Sequence, residues 1–284
     1  MVKWKEDLEK KRISSLKDEF GVEKPVIGMV HLQPLPGSVP YKGQGVEPVI
    51  EAALEDAEKL IEGGADAIMV ENMWDVPYHV KDDMPPAEMT SQAVAAYAIK
   101  QEYPDIPMGI NVVHNGGKNL LSIAVASGAD FIRVCLLTGA QVWDTGEFDN
   151  GVASDLLEYR KYLGAEDIKL LCDVDKKHSV RFPGIDLETH IEWTEFYLSD
   201  AIIISGKMTG AQPTVDKVKK ASELSDRPIL LGSGTNADNI GEFLKYADGA
   251  IVGTSLKVNG IGENPVDLDR VKEYMSEVRK VRNS

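Results

Sequence analysis

Residues 228–257 read PILLGSGTNADNIGEFLKYADGAIVGTSLK. Two short apolar runs, PILL at 228–231 and AIV at 250–252, each lead into a glycine-bearing turn, and a connecting segment lies between them. Runs this short and this continuous in apolar character fit strands covered on both faces. A strand, a crossover and a second buried strand make a βαβ unit, so the two strands pair in parallel.

The unit repeats upstream. Apolar runs stand at 25–30 (PVIGMV), 67–70 (AIMV), 107–113 (PMGINVV), 131–136 (FIRVCL), 168–174 (IKLLCDV) and 201–204 (AIII), which makes eight with the last two. Helical spacing of apolar residues fills 46–61, 152–163, 215–224 and 266–278, and Gly63-Gly64 stops the first. A finer repeat overlies the first. Ala65-Asp66, Ala129-Asp130, Ser199-Asp200 and Ala247-Asp248 precede the even runs, while Pro25, Pro107 and Pro228 open three odd ones. Odd/even alternation fits a closed barrel, whose interior layers are filled by alternate strands. The expected fold is therefore α/β, a single (β/α)8 TIM barrel over residues 1–284. An open doubly wound sheet would carry G-x-G-x-x-G after its first strand, which is absent. Residues 1–22 form an N-terminal extension, with 4–20 read as a helix covering the N-terminal mouth of the barrel.

Composition bounds the function. The chain has 284 residues, 43% of them hydrophobic, and a net charge of −15, which opposes a nucleic-acid partner. Cys135 and Cys172 sit inside apolar runs and read as buried free thiols, so a cytoplasmic location is expected. No apolar run approaches the roughly 20 residues of a membrane span, so no stable membrane insertion is expected. Neither a zinc-ligand spacing nor G-x-S-x-G is present, and no metal or cofactor is expected.

Barrels of this class place their chemistry at the C-terminal ends of the strands. Gly232, Ser233, Gly234 and Thr235 after the seventh run, and Gly253 and Thr254 after the eighth, are read as a phosphate site. Glycines let backbone N–H groups approach an anion, and the loops after strands seven and eight are the recurrent phosphate position. Glu71, Asp173 and His31 are the candidate acid/base set. Glu71 could instead pair with Arg133, and His31 could instead fix the Pro34-Leu35-Pro36-Gly37 turn. Asp173 and Asp175, two apart, are expected to share a strand face, with His178 close by. Asn72, Asn111, Arg133, His178, Ser205 and Lys207 are read as substrate-binding, Lys207 as a phosphate clamp or a solvated loop lysine. Trp143 and Phe148, on the polar loop at 138–151, suggest a lid or a contact between copies in a homo-oligomer.

Several longer stretches carry a family resemblance: IGMVHLQPLPG at 27–37, VENMWDVP at 70–77, FIRV at 131–134, DVDKKH at 173–178, LGSGT at 231–235 and ADGAIVGTSLK at 247–257. From Phe20 onward the chain resembles the BtpA family, named for photosystem I biogenesis. The resemblance implies a β/α barrel and no single reaction. The third strand departs from the family's Asn-x-x-Arg-Asn-Asp, reading Asn111-Val112-Val113-His114-Asn115-Gly116, and Cys135 stands where Asn is usual. The expected function is an enzyme acting on a small phosphorylated metabolite, a sugar phosphate or nucleotide-like compound. It would work by acid/base chemistry as an isomerase, lyase or nucleosidase-type hydrolase. The alternative is a non-catalytic assembly factor with a sensory ligand site.

Overall fold

The computed structural model describes residues 9, 11–206, 208 and 210–283. Eight parallel strands close into a barrel: β1 (Val26–His31), β2 (Ala67–Glu71), β3 (Met108–Asn111), β4 (Phe131–Val134), β7 (Lys169–Val174), β9 (Ala201–Ile204), β10 (Ile229–Leu231) and β11 (Gly249–Val252). β11 pairs back onto β1, with Gly28 opposite Val252. Three further strands, β5 (Ala140–Trp143), β6 (Phe148–Asn150) and β8 (Ser179–Arg181), form a small antiparallel sheet in the order β6-β5-β8.

The aspartate repeat has a direct structural meaning. Asp66, Asp130, Asp200 and Asp248 each accept, at 2.8 Å, the backbone N–H of Val26, Met108, Leu170 and Ile229, respectively. Their own backbone N–H groups donate back to the carbonyls of the same four residues. Each pair staples the start of one strand to the segment that enters its neighbour. Three of the stapled residues directly follow Pro25, Pro107 or Pro228.

Alternation along each strand separates two cores. Ile27, Met29, Met69, Phe131, Leu171, Ile203, Leu230 and Ile251 fill the barrel interior. The intervening residues, such as Val30, Val70, Ile132 and Ile202, face outward beneath the helices. The interior is tight: a Cβ on Gly109 would stand 2.1 Å from the Phe131 ring, so the phenylalanine occupies the space that the glycine leaves.

The surrounding helices include α2 (Glu47–Gly63), α3 (Pro86–Glu102), α4 (Gly117–Ser127), α5 (Ala153–Tyr162), α6 (Leu187–Phe196), α7 (Val215–Leu224), α8 (Ile240–Phe243) and α9 (Leu268–Arg282). At the N-terminus the described residues correct the expectation of one helix over 4–20. Only α1 (Leu16–Phe20) is an α-helix of any length, starting at Ser15 with a reciprocal bond to Asp18 and ending at Gly21. The part of the reading that falls on residues 1–8 lies outside the described residues. The segment does reach the barrel's N-terminal mouth. Ile13, Leu16 and Phe20 join the interior core, and Phe20 meets Phe131 edge to face at 5.3 Å. Among the described residues no helix is long and apolar enough to cross a membrane.

Candidate functional site

The inward parity that buries Ile27, Met69 and Phe131 also sets the C-terminal rim. Two residues beyond each inward apolar position lie His31, Glu71, Arg133, Asp173, Ser205, Gly232 and Gly253, with Asn111 two beyond Gly109. Register aligns four of them side by side: His31 opposite Glu71, Glu71 opposite Asn111, and Asn111 opposite Arg133. A cavity of about 470 Å³ opens above them, lined by His31, Glu71, Arg133 and Lys177. Residues 232–238 and 252–255, with Arg270, Glu273 and Tyr274 of α9, line it as well.

Asn111 Nδ2 donates to Glu71 Oε1, and His31 Nε2 stands 3.6 Å from Glu71 Oε2. Burial pushes the Glu71 carboxyl up. The His31 ring in its protonated form and the charges of Lys177, Arg133 and Lys176 outweigh it and hold the group below the usual carboxylate range. Burial lowers the His31 ring to about 4, so it is neutral at pH 7, and its Nδ1 is buried without a partner. The pair therefore offers an ionised carboxylate beside a neutral imidazole. That combination can take a proton and pass one on.

Asp173 is not among the residues that line the cavity. It is fully buried, and Arg133 grips it with two bonds, Nε–Oδ2 at 2.7 Å and NH2–Oδ1 at 2.9 Å. Lys176 Nζ at 3.1 Å and Ser205 Oγ at 3.2 Å complete the cluster. Burial alone would raise its carboxyl, but Arg133 and Lys176 bring it down to about 2. The carboxylate is committed to orienting Arg133, which itself lines the cavity. Asp175 does not share its face as expected. The strand ends at Val174, and the positive φ of Asp175 (61°) breaks the alternation. Its side chain pairs with Lys217 at 2.7 Å and Arg181 at 3.0 Å.

The other predicted residues divide. Asn72 Oδ1 accepts from Val113 N at 2.9 Å and braces two loops. His178 turns to the small sheet, where Nδ1 meets Asp144 Oδ2 at 2.9 Å. Lys207 lies outside the described residues. The glycine loops line the cavity together. Among the described residues, the backbone N–H groups of Ser233, Gly234, Gly253 and Thr254 have no hydrogen-bond partner. Gly232 and Gly253 leave room that a side chain would take: a Cβ would stand 2.3 Å from Ser205 Oγ or 2.9 Å from the His31 ring. Gly234 has a φ of +78°. Tyr274 pins this wall through its hydroxyl, 2.9 Å from Thr235 Oγ1.

Among the cavity residues that escaped the sequence reading are Lys177, Asp238, Arg270, Glu273 and Tyr274. Arg270 and Tyr274 belong to the amphipathic pattern at 266–278, where nothing marks a helix face as facing a site. Lys177 stood within DVDKKH, overshadowed by the residues around it. Trp143 is also corrected. It is buried, not exposed, stacked on His114 at 4.1 Å with Nε1 on Asp149. Phe148, opposite Val142 in the pairing, is the ring that faces out. Among the described residues no group of three His, Cys, Asp or Glu side chains is placed to hold a metal ion.

Comparisons with known proteins extend over nearly the whole chain. A profile described as the BtpA family matches residues 22–280. An uncharacterised protein of Thermococcus kodakarensis is 46% identical over 261 residues, 92% of this chain and 97% of that one. The photosystem I biogenesis protein BtpA of Synechocystis is 38% identical over 258 residues, 90% of this chain and 88% of that one. Among solved structures, thiamine phosphate pyrophosphorylase from Pyrococcus furiosus superposes with a TM-score of 0.56 at 16% identity, covering 91% of this chain and 96% of that one. A 3-hexulose-6-phosphate synthase gives 0.56 at 17% identity, covering 89% and 99%. At these identities the structural likeness establishes the barrel fold alone.

Proposed function

The chain belongs to the BtpA family, and we propose that it is an enzyme acting on a small phosphorylated metabolite. The phosphate would sit on the loops after β10 and β11, and acid/base chemistry would occur at His31 and Glu71. The observation that carries this reading is one cavity lined by two unlike sets of groups. The glycine loops present backbone N–H groups without partners among the described residues, and Arg270 lines the same cavity; His31 and Glu71 present an ionised carboxylate next to a neutral imidazole. An anchored phosphate holds the rest of the ligand over the reactive pair, which turns binding energy into orientation. Asn111 fixes the Glu71 rotamer, and Asp173, through Arg133, serves as a positioning residue. Superposable barrels named for phosphorylated compounds lend support at the level of fold. Isomerisation, C–C cleavage and N-glycoside cleavage all use such a pair. The expected cytoplasmic location and homo-oligomeric state belong to this proposal as well.

Gly253→Asp tests the anchor. It places a carboxylate where the anion binds, and inorganic phosphate binding measured by calorimetry should be lost. Its Cβ meets the His31 ring at 2.9 Å, so some loss of unfolding temperature is expected, and circular dichroism checks that the fold is kept. Glu71→Gln keeps the shape and removes the titrating group, so turnover of a phosphorylated substrate should drop by about 100-fold or more, with phosphate affinity unchanged. A Gly253→Asp variant that binds phosphate like the parent overturns the anchor.

One observation favours a second reading. Asp173, the third residue of the expected acid/base set, is wholly engaged with Arg133 and Lys176. A binding protein that senses a phosphorylated compound needs only the anchor, and it would bind phosphate while Glu71→Gln changed nothing.

A further inference from the structure

Lys177 is the cavity residue that the acid/base scheme does not use. It follows β7 in the turn before β8, and that turn is held at several points. Ser179 Oγ donates to the Lys176 carbonyl at 2.8 Å, Asp144 N donates to the His178 carbonyl at 2.9 Å, and Lys176 is tied to Asp173. Asp175 and His178, on either side of the lysine pair, both have φ of 61°. The two lysines go separate ways. Lys176 is buried against Asp173, whereas Lys177 lines the cavity with Glu71 and Arg133 and makes no hydrogen bond or ion pair among the described residues. The glycine loops line the same cavity.

We propose that Lys177 is a nucleophile that forms an imine with the carbonyl group of a phosphorylated aldehyde or ketone held on the glycine loops. This deepens the reading above and rests on it, by naming the substrate class of that site. Burial, then the ammonium of Lys176, with Arg133 contributing, lower the Lys177 amine to about 8, against a partial pull upward from Glu71. Lys177 remains mostly an ammonium at pH 7, but about a tenth of it is the neutral, nucleophilic amine, about a hundredfold or more above an ordinary lysine; lysines activated this way are desolvated or sit near other cations. The step balances as follows. The neutral amine adds to the carbonyl carbon, nitrogen gives up one proton, and the carbonyl oxygen takes one to become a hydroxyl. That hydroxyl takes a second proton and leaves as water, so the nitrogen–carbon double bond carries the positive charge. His31 and Glu71, which line the same cavity, are placed to shuttle these protons. The resulting cation can withdraw electrons from the adjacent carbon, which serves both isomerisation and C–C cleavage.

The test is reductive trapping on the full-length protein. Glycolaldehyde phosphate and cyanoborohydride are added at pH 7.5, and the modified lysines are mapped by peptide mass spectrometry. Lys177 should be labelled at least about tenfold faster than the surface lysines. Inorganic phosphate should slow that labelling, and unphosphorylated glycolaldehyde should react more slowly. Lys177→Met should unfold at the parent's temperature, bind inorganic phosphate and lose the fast label. If phosphate binds but Lys177 labels no faster than surface lysines, the nucleophile is refuted and the anchor stands. If Lys177 labels fast with both aldehydes and phosphate gives no protection, the nucleophile stands and the anchor falls.

Discussion

Asp173→Asn separates a positioning role from a catalytic one. In the parent, two bonds from Arg133, one from Lys176 and one from Ser205 converge on this carboxylate, with no exposure to solvent. The substitution leaves two buried cations facing a neutral amide that carries donors of its own. Removing one partner of a buried pair costs about 3–5 kcal/mol. A second route gives a similar scale. The carboxyl is held at about 2 against an ordinary value of 3.8, and at about 1.4 kcal/mol per unit this amounts to ~2 kcal/mol. Taking about 3 kcal/mol, and about 2–4 °C per kcal/mol for a chain somewhat longer than 200 residues, the unfolding temperature at pH 7 should fall by about 10 °C. The folded-state pKa lies below the unfolded one, so this stabilisation is complete above about pH 4 and fades as pH falls through about 2. The gap between parent and variant should narrow over that window. Differential scanning fluorimetry across a pH series measures it. A variant that unfolds within about 2 °C of the parent at pH 7, yet loses turnover while binding phosphate normally, would refute the positioning role and return Asp173 to the acid/base set.

Two other expectations concern the whole molecule. His31, His114 and His190 are each lowered to about 4, chiefly by burial. The unfolded chain therefore takes up their protons first, and stability should decline as pH falls from about 6.5 toward 4; a urea midpoint that stays flat from pH 7 to 5 would contradict this. Phe148, Val142 and Val180 lie side by side on one exposed face of the small sheet, with Phe182 against Phe148. If copies of the chain associate through this row, Phe148→Ser with Val180→Thr should shift the sedimentation coefficient to a smaller species; an unchanged value would place any contact elsewhere.

What was legible in the sequence is what local rules impose. The apolar runs and the Ala/Ser-Asp repeat announced eight strands, because each aspartate staples a neighbouring strand start within a fixed unit. The glycine loops were legible too, since close backbone approach needs residues without a Cβ, whatever lies around them.

Partners across the barrel were not legible. Sequence offered Arg133 to Glu71, but the closed ring brings Arg133 to Asp173 and leaves Glu71 to His31 and Asn111, and only strand order and register decide between them. Asp175 left the face of Asp173 because β7 stops one residue earlier, which spacing alone does not reveal. Trp143 looked like an exposed lid ring until the small sheet fixed which face of β5 turns inward onto His114. Lys177, Arg270 and Tyr274 reach the cavity from a turn and the last helix, segments whose sequence marks no facing direction. Periodicity therefore determined which residues point inward, and closure of the barrel alone determined which of them meet.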